Sequence, residues 1–310
     1  MDKYLVTGGA GFIGSNIVES LVARGDQVTV LDNLSTGSMD NLKTVTDKIQ
    51  FIKGDLRSMD DVKKATRGIT YVLHQAALRS VERSVEDPSA TNDSNITGTL
   101  NLLIASRENK VRRLVYASSS SVYGDSARIP QNEEQLPQPV SPYAVSKLAG
   151  EHYCSVYAKT FGLETVVLRY FNVFGPRQNP RSRYAAVIPI FMQCIVTGKP
   201  LPMHGDGKQS RDFTYIDNVV EANILAAHAP GVSGTTYNAA LGDNRSVCDI
   251  ADMLEKITNK KIKRKHTEPR VGDVRITKAD NSRIKKDMDF KGSIGFEDGL
   301  KKTWEYFTSQ

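Results

Sequence analysis

The chain has 310 residues, of which 39% are hydrophobic and 25% charged, a composition typical of a globular protein with one large or two modest domains. The net charge of +6 and the pI of about 9.0 suit an anionic ligand, but no nucleic-acid recognition motif accompanies the charge, so no nucleic-acid partner is predicted. No apolar run approaches the ~20 residues that cross a bilayer, so no membrane segment is predicted.

The cysteines and the amino terminus indicate a reducing compartment. Cys154, Cys194 and Cys248 are scattered and lack metal-ligand spacing, so we predict reduced thiols and no metal site. The chain enters its first strand at residue 3, which leaves no room for a signal peptide. A cytoplasmic protein is expected.

Short apolar runs alternate with helical patterns through the first 170 residues. The predicted strands are 3–7, 27–31, 49–53, 71–74, 113–117 and 165–170. The predicted helices are 13–23, 59–66, 90–107 and 142–161. This alternation predicts an α/β fold, a doubly wound parallel sheet of the Rossmann type.

The pattern loosens after Tyr170, where Pro, Gly and Arg become frequent. A helix over 217–229 and a strand over 235–238 are expected to return to the sheet. We therefore predict two units that interleave along the chain. Residues 1–175, with 217–240 returning, form the nucleotide-binding domain, and residues 176–216 and 241–310 form a smaller mixed α/β C-terminal substrate lobe.

A glycine loop between the first strand and the first helix predicts nucleotide binding. Gly8, Gly11 and Gly14 permit a tight turn and let backbone N–H groups approach a pyrophosphate at the helix N-terminus. Asp32 ends the second strand, where a carboxylate accepts hydrogen bonds from a ribose and repels a 2′-phosphate. The predicted cofactor is NAD rather than NADP, with Asp55 and Leu56 flanking the adenine.

Tyr143 and Lys147 lie four residues apart on a predicted helix, so both side chains share one face. An ammonium beside a phenol favours the phenolate, and we therefore expect Lys147 to lower the pKa of Tyr143. Such a tyrosine can take a proton from a sugar hydroxyl. A serine cluster, Ser118–Ser121, lies upstream, and the order of these motifs indicates nicotinamide chemistry.

Motifs along nearly the full length of the chain resemble the extended short-chain dehydrogenase/reductase family. They include Thr7–Ser15, His74–Ala77, Ala117–Gly124, Tyr143–Lys147 and Arg169–Arg177. Within that family the chain looks like a nucleotide-sugar 4-epimerase. Related 4,6-dehydratases carry an Asp-Glu pair where this chain has Ser119, Ser120 and Ser121, which argues against dehydration because elimination of water needs further acid–base groups.

The resemblance implies roles for individual residues. Ser119, Tyr143 and Lys147 would be catalytic, with Ser118 or Ser120 as alternatives for the serine. The implied cofactor contacts are Gly8, Gly11, Phe12, Ile13, Gly14, Asp32, Asn33, Asp55, Leu56, Gln75, Ala76, Ala77, Arg79, Asn95, Ser118, Tyr143, Lys147 and Tyr170. The implied contacts of a UDP-sugar substrate are Arg83, Ser119, Ser120, Tyr143, Asn172, Val187, Arg211, Arg270, Asp273 and Thr277.

The implied reaction is 4-epimerisation through a transient 4-keto sugar on bound NAD. In the resembling enzymes the position of Thr277 gates the pocket beside the sugar C2 substituent, and a small residue there admits an N-acetyl group. UDP-N-acetylglucosamine and UDP-N-acetylgalactosamine are therefore expected substrates, alongside UDP-glucose and UDP-galactose. A UDP-glucuronate 4-epimerase or decarboxylase is the alternative, with Arg79, Arg83, Arg181 or Arg183 meeting the carboxylate. A non-catalytic NAD-binding regulator is the remaining possibility.

The family usually forms homodimers through a four-helix bundle, and the resemblance implies the same here. The two contributing helices would be those near residues 90–107 and 142–161. Apolar residues that could form the seam, or could equally belong to the core, are Leu100, Leu103, Ile104, Val145, Ala149 and Val156.

Overall fold

The computed structural model describes residues 1–126, 128–180, 185–268 and 275–309, and its centre is a seven-stranded parallel sheet. The strands are β1 (Lys3–Thr7), β2 (Gln27–Asp32), β3 (Ile49–Lys53), β4 (Tyr71–His74), β5 (Arg113–Ser119), β6 (Glu164–Tyr170), β7 (Asn172–Phe174), β8 (Leu201–His204), β9 (Ser210–Tyr215), β10 (Thr235–Ala239), β11 (Asn244–Ser246) and β12 (Arg264–Thr267). The main sheet has the order β10-β6-β5-β4-β1-β2-β3, and the predicted doubly wound α/β fold is confirmed.

Helices cover both faces of this sheet. They are α1 (Phe12–Ala23), α2 (Met59–Ala65), α3 (Val81–Glu86), α4 (Pro88–Asn92), α5 (Gly98–Glu108), α6 (Pro142–Phe161), α7 (Val187–Val196), α8 (Ile216–His228), α9 (Val247–Thr258), α10 (Ser282–Met288) and α11 (Phe296–Thr308). Alternate strand residues enter different cores: Tyr4 and Val6 join the cluster with α1 and α8, whereas Leu5 joins the cluster with α2, α5 and α6. Period-two alternation between two buried faces explains why these strands are continuous apolar runs.

The strand order places the functional edge of the sheet. All seven strands are parallel, so their carboxyl ends meet at one edge. The order reverses between β1 and β4, because the chain winds outwards to β2 and β3 and then returns to β4 on the other side of β1. Ligands of open α/β sheets bind at the carboxyl ends beside such a switch point.

The single helix expected over 90–107 is divided into three parts. A π-helical turn, Asp93–Thr97, lies between α4 and α5. Asn95 within this turn is 1% exposed and accepts a hydrogen bond from the Leu78 backbone N–H, with Oδ1 to N 2.8 Å. Its Nδ2 donates to the Leu78 carbonyl oxygen and to Ser146 Oγ, both at 3.0 Å. The turn therefore fastens the segment after β4 to α6.

The remaining strands form a smaller lobe. β9 lies between β7 and β11, parallel to the first and antiparallel to the second, while β8 pairs in parallel with β12. β7 lies inside the range expected for the nucleotide-binding domain but pairs with β9 of the lobe. β10 lies beside β6 in the main sheet. The domain boundaries remain a prediction.

Two further observations concern the surface and the thiols. No helix among the described residues is long and apolar enough to cross a bilayer. Cys154, Cys194 and Cys248 are all free thiols, and Cys154 is buried.

Candidate active site

The glycine loop is closed on itself so tightly that side chains would not fit. Gly8 has a φ of +67°, and a Cβ there would lie 2.7 Å from the Cα of Ala76. A Cβ on Gly14 would lie 2.2 Å from the Gly8 carbonyl oxygen. Gly11 caps α1 without a side-chain hydrogen bond, and no acidic residue occupies the first turn. The N-terminus of α1 thus keeps its backbone donors for an anion.

Polar side chains at the ends of β2 and β3 are held by hydrogen bonds. Asp32 accepts from the backbone N–H groups of Ala10 (3.0 Å) and Leu34 (2.8 Å), which fixes its carboxylate against the glycine loop. Asn33 Nδ2 donates to Asp55 Oδ2 at 2.8 Å. The Arg57 guanidinium binds both oxygens of Asp55 and holds the pKa of that carboxyl well below its usual range. These carboxylates are in place for ribose and adenosine.

A cavity at this edge gathers most of the predicted cofactor residues. It is lined by Gly8, Gly11, Phe12, Ile13, Gly14, Asp32, Asn33, Asp55, Leu56, Gln75, Ala76, Ala77 and Arg79, together with Leu31, Ser35, Thr36, Gly54, Leu78 and Ser94. The open helix N-terminus, the tight glycine turn and the acidic strand end fit a dinucleotide such as NAD.

Five predicted cofactor residues do not line that cavity: Tyr143 and Lys147, which are described below, and three others that are engaged with protein partners. Asn95 binds Leu78 and Ser146, as described above. Tyr170 donates to Gln75 Oε1 at 3.1 Å and accepts from Asn223 Nδ2 at 2.7 Å. The Ser118 hydroxyl donates to Glu151 Oε1 at 2.5 Å and is 3% exposed. Asn95 and Tyr170 thereby hold Leu78 and Gln75, which line the cavity.

The Ser119 hydroxyl, at the carboxyl end of β5, acts on the phenol of Tyr143 and counteracts the rise in the pKa of Tyr143 that burial causes. α6 begins at Pro142 with Ser141 as its N-cap, so Tyr143 lies in the first turn. Among the three candidate serines, Ser119 is therefore the one whose hydroxyl acts on the tyrosine. Ser118 is bonded to Glu151, and Ser120 is half-buried in a 3₁₀ turn.

Lys147 lies one turn after Tyr143 and is 4% exposed. Its Nζ donates to the Ala117 carbonyl oxygen at 2.8 Å and lies 6.0 Å from the centre of the Tyr143 ring. Burial lowers the pKa of Lys147 to about 8, while the Glu151 carboxylate acts in the opposite direction.

The expectation that Lys147 lowers the pKa of Tyr143 is wrong for this structure. Burial raises the pKa of Tyr143 above its ordinary value, and the groups that act against burial are the Ser119 hydroxyl and the Arg79 guanidinium. The reason is geometric, because the Lys147 ammonium is directed to a backbone carbonyl and not to the phenol.

His74, at the end of β4, is neutral and structural. Its ring nitrogens bind Thr7 Oγ1 at 2.7 Å and Thr99 Oγ1 at 2.9 Å, and it is 1% exposed. Burial lowers the pKa of His74 to about 3, and the charge of Lys147 acts in the same direction. The imidazole therefore links β1, β4 and α5 below the site without serving as a base.

A second cavity lies in the smaller lobe and brings together three of the predicted substrate residues, Asn172, Val187 and Arg211. Its other lining residues are Val173, Phe174, Gln178, Ala186, Ile188, Ile190, Phe191, Pro202, His204, Gln209, Phe213 and Val247. The cavity is largely apolar, with a guanidinium at its wall, which suits a flat base attached to an anionic group.

The other predicted substrate residues lie at different places. Thr277 binds the two residues on either side of Arg211 in β9. Its N–H donates to the Ser210 carbonyl oxygen (3.1 Å), and its Oγ1 accepts from the Asp212 N–H (3.4 Å). It lines neither cavity. Arg83 is half-buried in α3. The predicted residues Arg270 and Asp273, and the alternative cations Arg181 and Arg183, lie outside the described residues.

Sequence reasoning missed residues that support the site from behind. Asn223 of α8 completes a hydrogen-bonded ring with Gln75 and Tyr170, since Gln75 Nε2 donates to its Oδ1 at 3.0 Å. Glu151 and Arg169 form a buried ion pair of 2.6 Å. The sequence signal for these residues is a polar or charged side chain on the buried face of a helix or inside an apolar strand. Such a side chain is rarely buried without a partner, so its position indicates a specific contact.

A dinucleotide cavity at the switch point, with Ser119, Tyr143 and a buried Lys147 at the carboxyl end of β5, defines an enzyme of the short-chain dehydrogenase/reductase kind. The chain belongs to the NAD dependent epimerase/dehydratase family, whose profile matches residues 4–240. Its cofactor is NAD.

Proteins similar to this chain are named for different sugars. A putative UDP-glucose 4-epimerase of Methanocaldococcus jannaschii is 37% identical over 96% of each chain. The structure of a UDP-N-acetylglucosamine 4-epimerase from Methanobrevibacter ruminantium, in complex with UDP-N-acetylmuramic acid, has a TM-score of 0.95 and 40% identity over 99% of this chain and 98% of that one. A Bacillus cereus UDP-glucuronic acid 4-epimerase with UDP-glucuronic acid and NAD has a TM-score of 0.91 and 33% identity over 99% of each chain.

Proposed function

We propose that this enzyme is an NAD-dependent 4-epimerase of UDP-hexoses that acts through a transient 4-keto sugar. The observation that carries the proposal is the Ser119–Tyr143 hydroxyl pair at the end of β5. In the sheet order β5 lies between β4, whose end borders the cofactor cavity, and β6, which leads into the residues of the second cavity. A sugar held between the two cavities would meet this pair.

The chemistry divides between the cofactor and the protein. NAD, when bound, supplies an oxidant that takes a hydride from C4 and gives it back. Tyr143 takes the proton of the 4-hydroxyl as the 4-keto sugar forms and returns it to the opposite epimer. Ser119, whose hydroxyl acts on Tyr143, would hold the reacting oxygen in line. The reaction has no net redox change, so NAD is retained between turnovers.

Lys147 has a positioning and electrostatic role in this proposal. Its bond to the Ala117 carbonyl oxygen fixes the ammonium at the end of β5. From there it would bind the nicotinamide ribose and favour negative charge on the reacting oxygen. Arg79, which lines the cofactor cavity and acts on Tyr143, adds a second cation to the site.

The nucleotide-sugar contacts follow from the second cavity. Asn172 and Arg211 would bind the diphosphate, because an amide and a guanidinium both donate to phosphate oxygens. Val187 would contact the nucleotide. Arg270 and Asp273 would bind the diphosphate and the ribose, and Arg83 and Ser120 remain candidates for the sugar.

The preferred sugar series in this proposal is N-acetylated. Thr277 is small and flanks Arg211, so a bulky C2 substituent would be admitted beside the diphosphate site. UDP-N-acetylglucosamine and UDP-N-acetylgalactosamine would therefore be interconverted, as well as UDP-glucose and UDP-galactose. The structural similarity to a UDP-N-acetylglucosamine 4-epimerase supports this choice.

A UDP-glucuronate 4-epimerase or decarboxylase is the second candidate. The supporting observation is that the Arg79 guanidinium acts on Tyr143, so a cation stands close to where a C6 carboxylate would bind. The relationship to a UDP-glucuronic acid 4-epimerase supports it as well. Release of carbon dioxide from UDP-glucuronate would identify a decarboxylase. A non-catalytic regulator would bind NAD and turn over no nucleotide sugar.

We also propose a homodimer in the cytoplasm. Val145 and Val156 are exposed on one face of α6, about three turns apart, and half-buried Leu100 and Ile104 lie on the adjacent α5. Leu103, in contrast, is fully buried in the core and cannot form the seam. Light scattering of the native protein and of Val145→Glu would test the bundle, with a dimer expected for the first and a monomer for the second.

The function is tested by incubating the purified protein, without added NAD, with UDP-N-acetylglucosamine, UDP-glucose and UDP-glucuronate in separate reactions. The anomeric protons are followed by NMR. Formation of the 4-epimer from the first two substrates supports the proposal. Reaction of UDP-glucuronate alone would promote the second candidate, and no reaction of any sugar in protein that carries NAD would contradict both.

A further inference from the structure

A buried charged cluster lies behind the reacting groups and takes no part in the proposed chemistry. It consists of Glu151 on α6, Arg169 on β6 and Ser118 on β5, which are 6%, 4% and 3% exposed. Such residues are rarely buried without a specific arrangement of partners.

The carboxylate of Glu151 ties the two strands together. Its Oε2 accepts from Arg169 Nη2 at 2.6 Å, and its Oε1 accepts from Arg169 Nε at 2.9 Å and from Ser118 Oγ at 2.5 Å. Ser118 and Arg169 are direct neighbours in the register of β5 and β6. Glu151 of the helix thus binds a cross-strand pair at the carboxyl edge of the sheet, and we call Glu151, Arg169 and Ser118 together the clamp.

The clamp continues a series of contacts between α6 and the end of β5. Tyr143, Lys147 and Glu151 are spaced by four residues and share one face of α6. They contact Ser119, the Ala117 carbonyl oxygen and Ser118, which are three consecutive residues of β5. Gly150 allows this close approach, since a Cβ there would lie 2.3 Å from the Tyr116 hydroxyl.

Stability alone does not account for this pair. Replacing both members of a buried ion pair with apolar residues of similar volume is often neutral, whereas removing one member leaves a charge uncompensated. A second Arg–Glu pair on the same two strands, Arg113 and Glu164, lies at the amino end of the sheet, away from the site. It offers a matched comparison.

We propose that Glu151, through Arg169 and Ser118, is a positioning residue that holds α6 against β5 so that Lys147 and Tyr143 meet Ala117 and Ser119. The inference rests on the proposed function for its consequence in catalysis. Loss of the clamp would let the end of β5 shift relative to α6, and a displacement of about 1 Å in a reacting group can cost on the order of 100-fold in rate.

The clamp also influences the charge of Lys147. The groups that face this ammonium are Glu151 and Cys154 on its own helix, His74 from β4, and Tyr116 from β5, with the Tyr143 ring one turn earlier. Glu151 is the first among them to favour the protonated ammonium. Its removal should therefore lower the pKa of Lys147 further.

The test compares the double variant Glu151→Met/Arg169→Met with the control Arg113→Met/Glu164→Met. Each double variant removes one Arg–Glu pair that involves β6 and leaves neither member of that pair uncompensated. The clamp variant should lose roughly 10- to 100-fold in kcat relative to the control, with KM and NAD content unchanged. The break of its kcat–pH profile near pH 8, where Lys147 titrates, should move to lower pH. Ser118→Ala, which removes only the bond from Glu151 to β5 and leaves the ion pair intact, replaces the double variant if the latter fails to fold.

Two results would overturn the inference. One is a clamp variant whose kcat and pH profile match those of the control. The other is a crystal structure of the variant in which the Lys147–Ala117 and Ser119–Tyr143 contacts both persist. If the unaltered protein epimerises no UDP-sugar, the proposed function fails, and the crystal structure still decides whether Glu151 positions α6.

Discussion

The ammonium of Lys147 donates to the carbonyl oxygen of Ala117 at 2.8 Å, and its nitrogen lies 6.0 Å from the centre of the Tyr143 ring. The lysine is therefore held by the strand, and the phenol is polarised mainly by Ser119 and Arg79. This arrangement determines which residue should matter for each step and how the rate should depend on pH.

The first prediction concerns the serine register. Ser119→Ala should lower kcat by about 100-fold, because the hydroxyl pair loses the member that aligns the reacting oxygen. Ser121→Ala, two residues along in the 3₁₀ turn, is the matched control and should keep most activity. Equal losses in the two variants would show that the site depends on the turn and not on Ser119.

The second prediction concerns pH. Tyr143 must be ionised to take a proton, and its pKa is raised above the ordinary value of about 10 by burial. Lys147 must be protonated, and burial lowers its pKa to about 8. Below pH 8 the active fraction grows as Tyr143 ionises, and above pH 8 that gain is offset by deprotonation of Lys147. We expect kcat to rise up to about pH 8 and then to level off. A profile that is already flat from pH 6 would place an ionised Tyr143 at neutrality and contradict this reading.

The third prediction concerns the sugar gate. Thr277→Tyr should abolish turnover of UDP-N-acetylglucosamine and spare UDP-glucose, since the larger side chain would fill the space beside the C2 substituent. Lys278→Tyr, an exposed neighbour, is the control. The ratio of kcat/KM for the two sugars is the measurement. An unchanged ratio in Thr277→Tyr would show that Thr277 does not control access of the C2 substituent, and the epimerase proposal would stand.

The fourth prediction concerns stability. Asp212 is fully buried, its Oδ1 has no hydrogen-bond partner, and burial raises the pKa of its carboxyl to about 7 from an ordinary 3.8. Between pH 3.8 and about pH 7 the Asp212 carboxyl is deprotonated in the unfolded chain and protonated in the folded protein. The free energy of unfolding therefore falls as the pH rises to about 7.

Asp212→Asn removes this titration. Relative to the unaltered protein, its free energy of unfolding should increase by on the order of 2 kcal/mol between pH 5 and pH 8. Urea unfolding at the two pH values measures the difference, with Asp252→Asn, from a partly exposed ion pair with Arg264, as the control. A difference between Asp212→Asn and the parent that stays constant with pH would refute the prediction.

Much of the fold could be predicted because its signals are local. The first three strands of the main sheet are short, largely apolar runs that end at or beside Gly8, Asp32 and Gly54, and the glycine loop marks the first crossover. In the smaller lobe β8 pairs with β12, about 60 residues later in the chain, and no local pattern reveals such a pairing. α9 did carry a signal, the capping box of Ser246 and Asp249, which was overlooked.

The candidate site was predicted in part for a similar reason. Sequence motifs identify residue types, so they single out Ser119, Tyr143 and Lys147 as candidates and assign the glycine loop and Asp32 to one cofactor. Which partner a side chain contacts depends on tertiary packing. The bond of Lys147 to Ala117, and the engagement of Asn95 with Leu78, depend on how α6 and the π-helical turn pack against the sheet, which the spacing of residues does not reveal.

The most direct test of the central claim is to run the reaction in D₂O. If Tyr143 takes only the hydroxyl proton and the C4 hydride returns from NAD, UDP-N-acetylgalactosamine should form from UDP-N-acetylglucosamine with no deuterium bound to carbon, as judged by NMR and mass. Tyr143→Phe should form almost none while still retaining NAD. Deuterium at C4 or C5 of the product, or undiminished turnover by Tyr143→Phe, would contradict the mechanism.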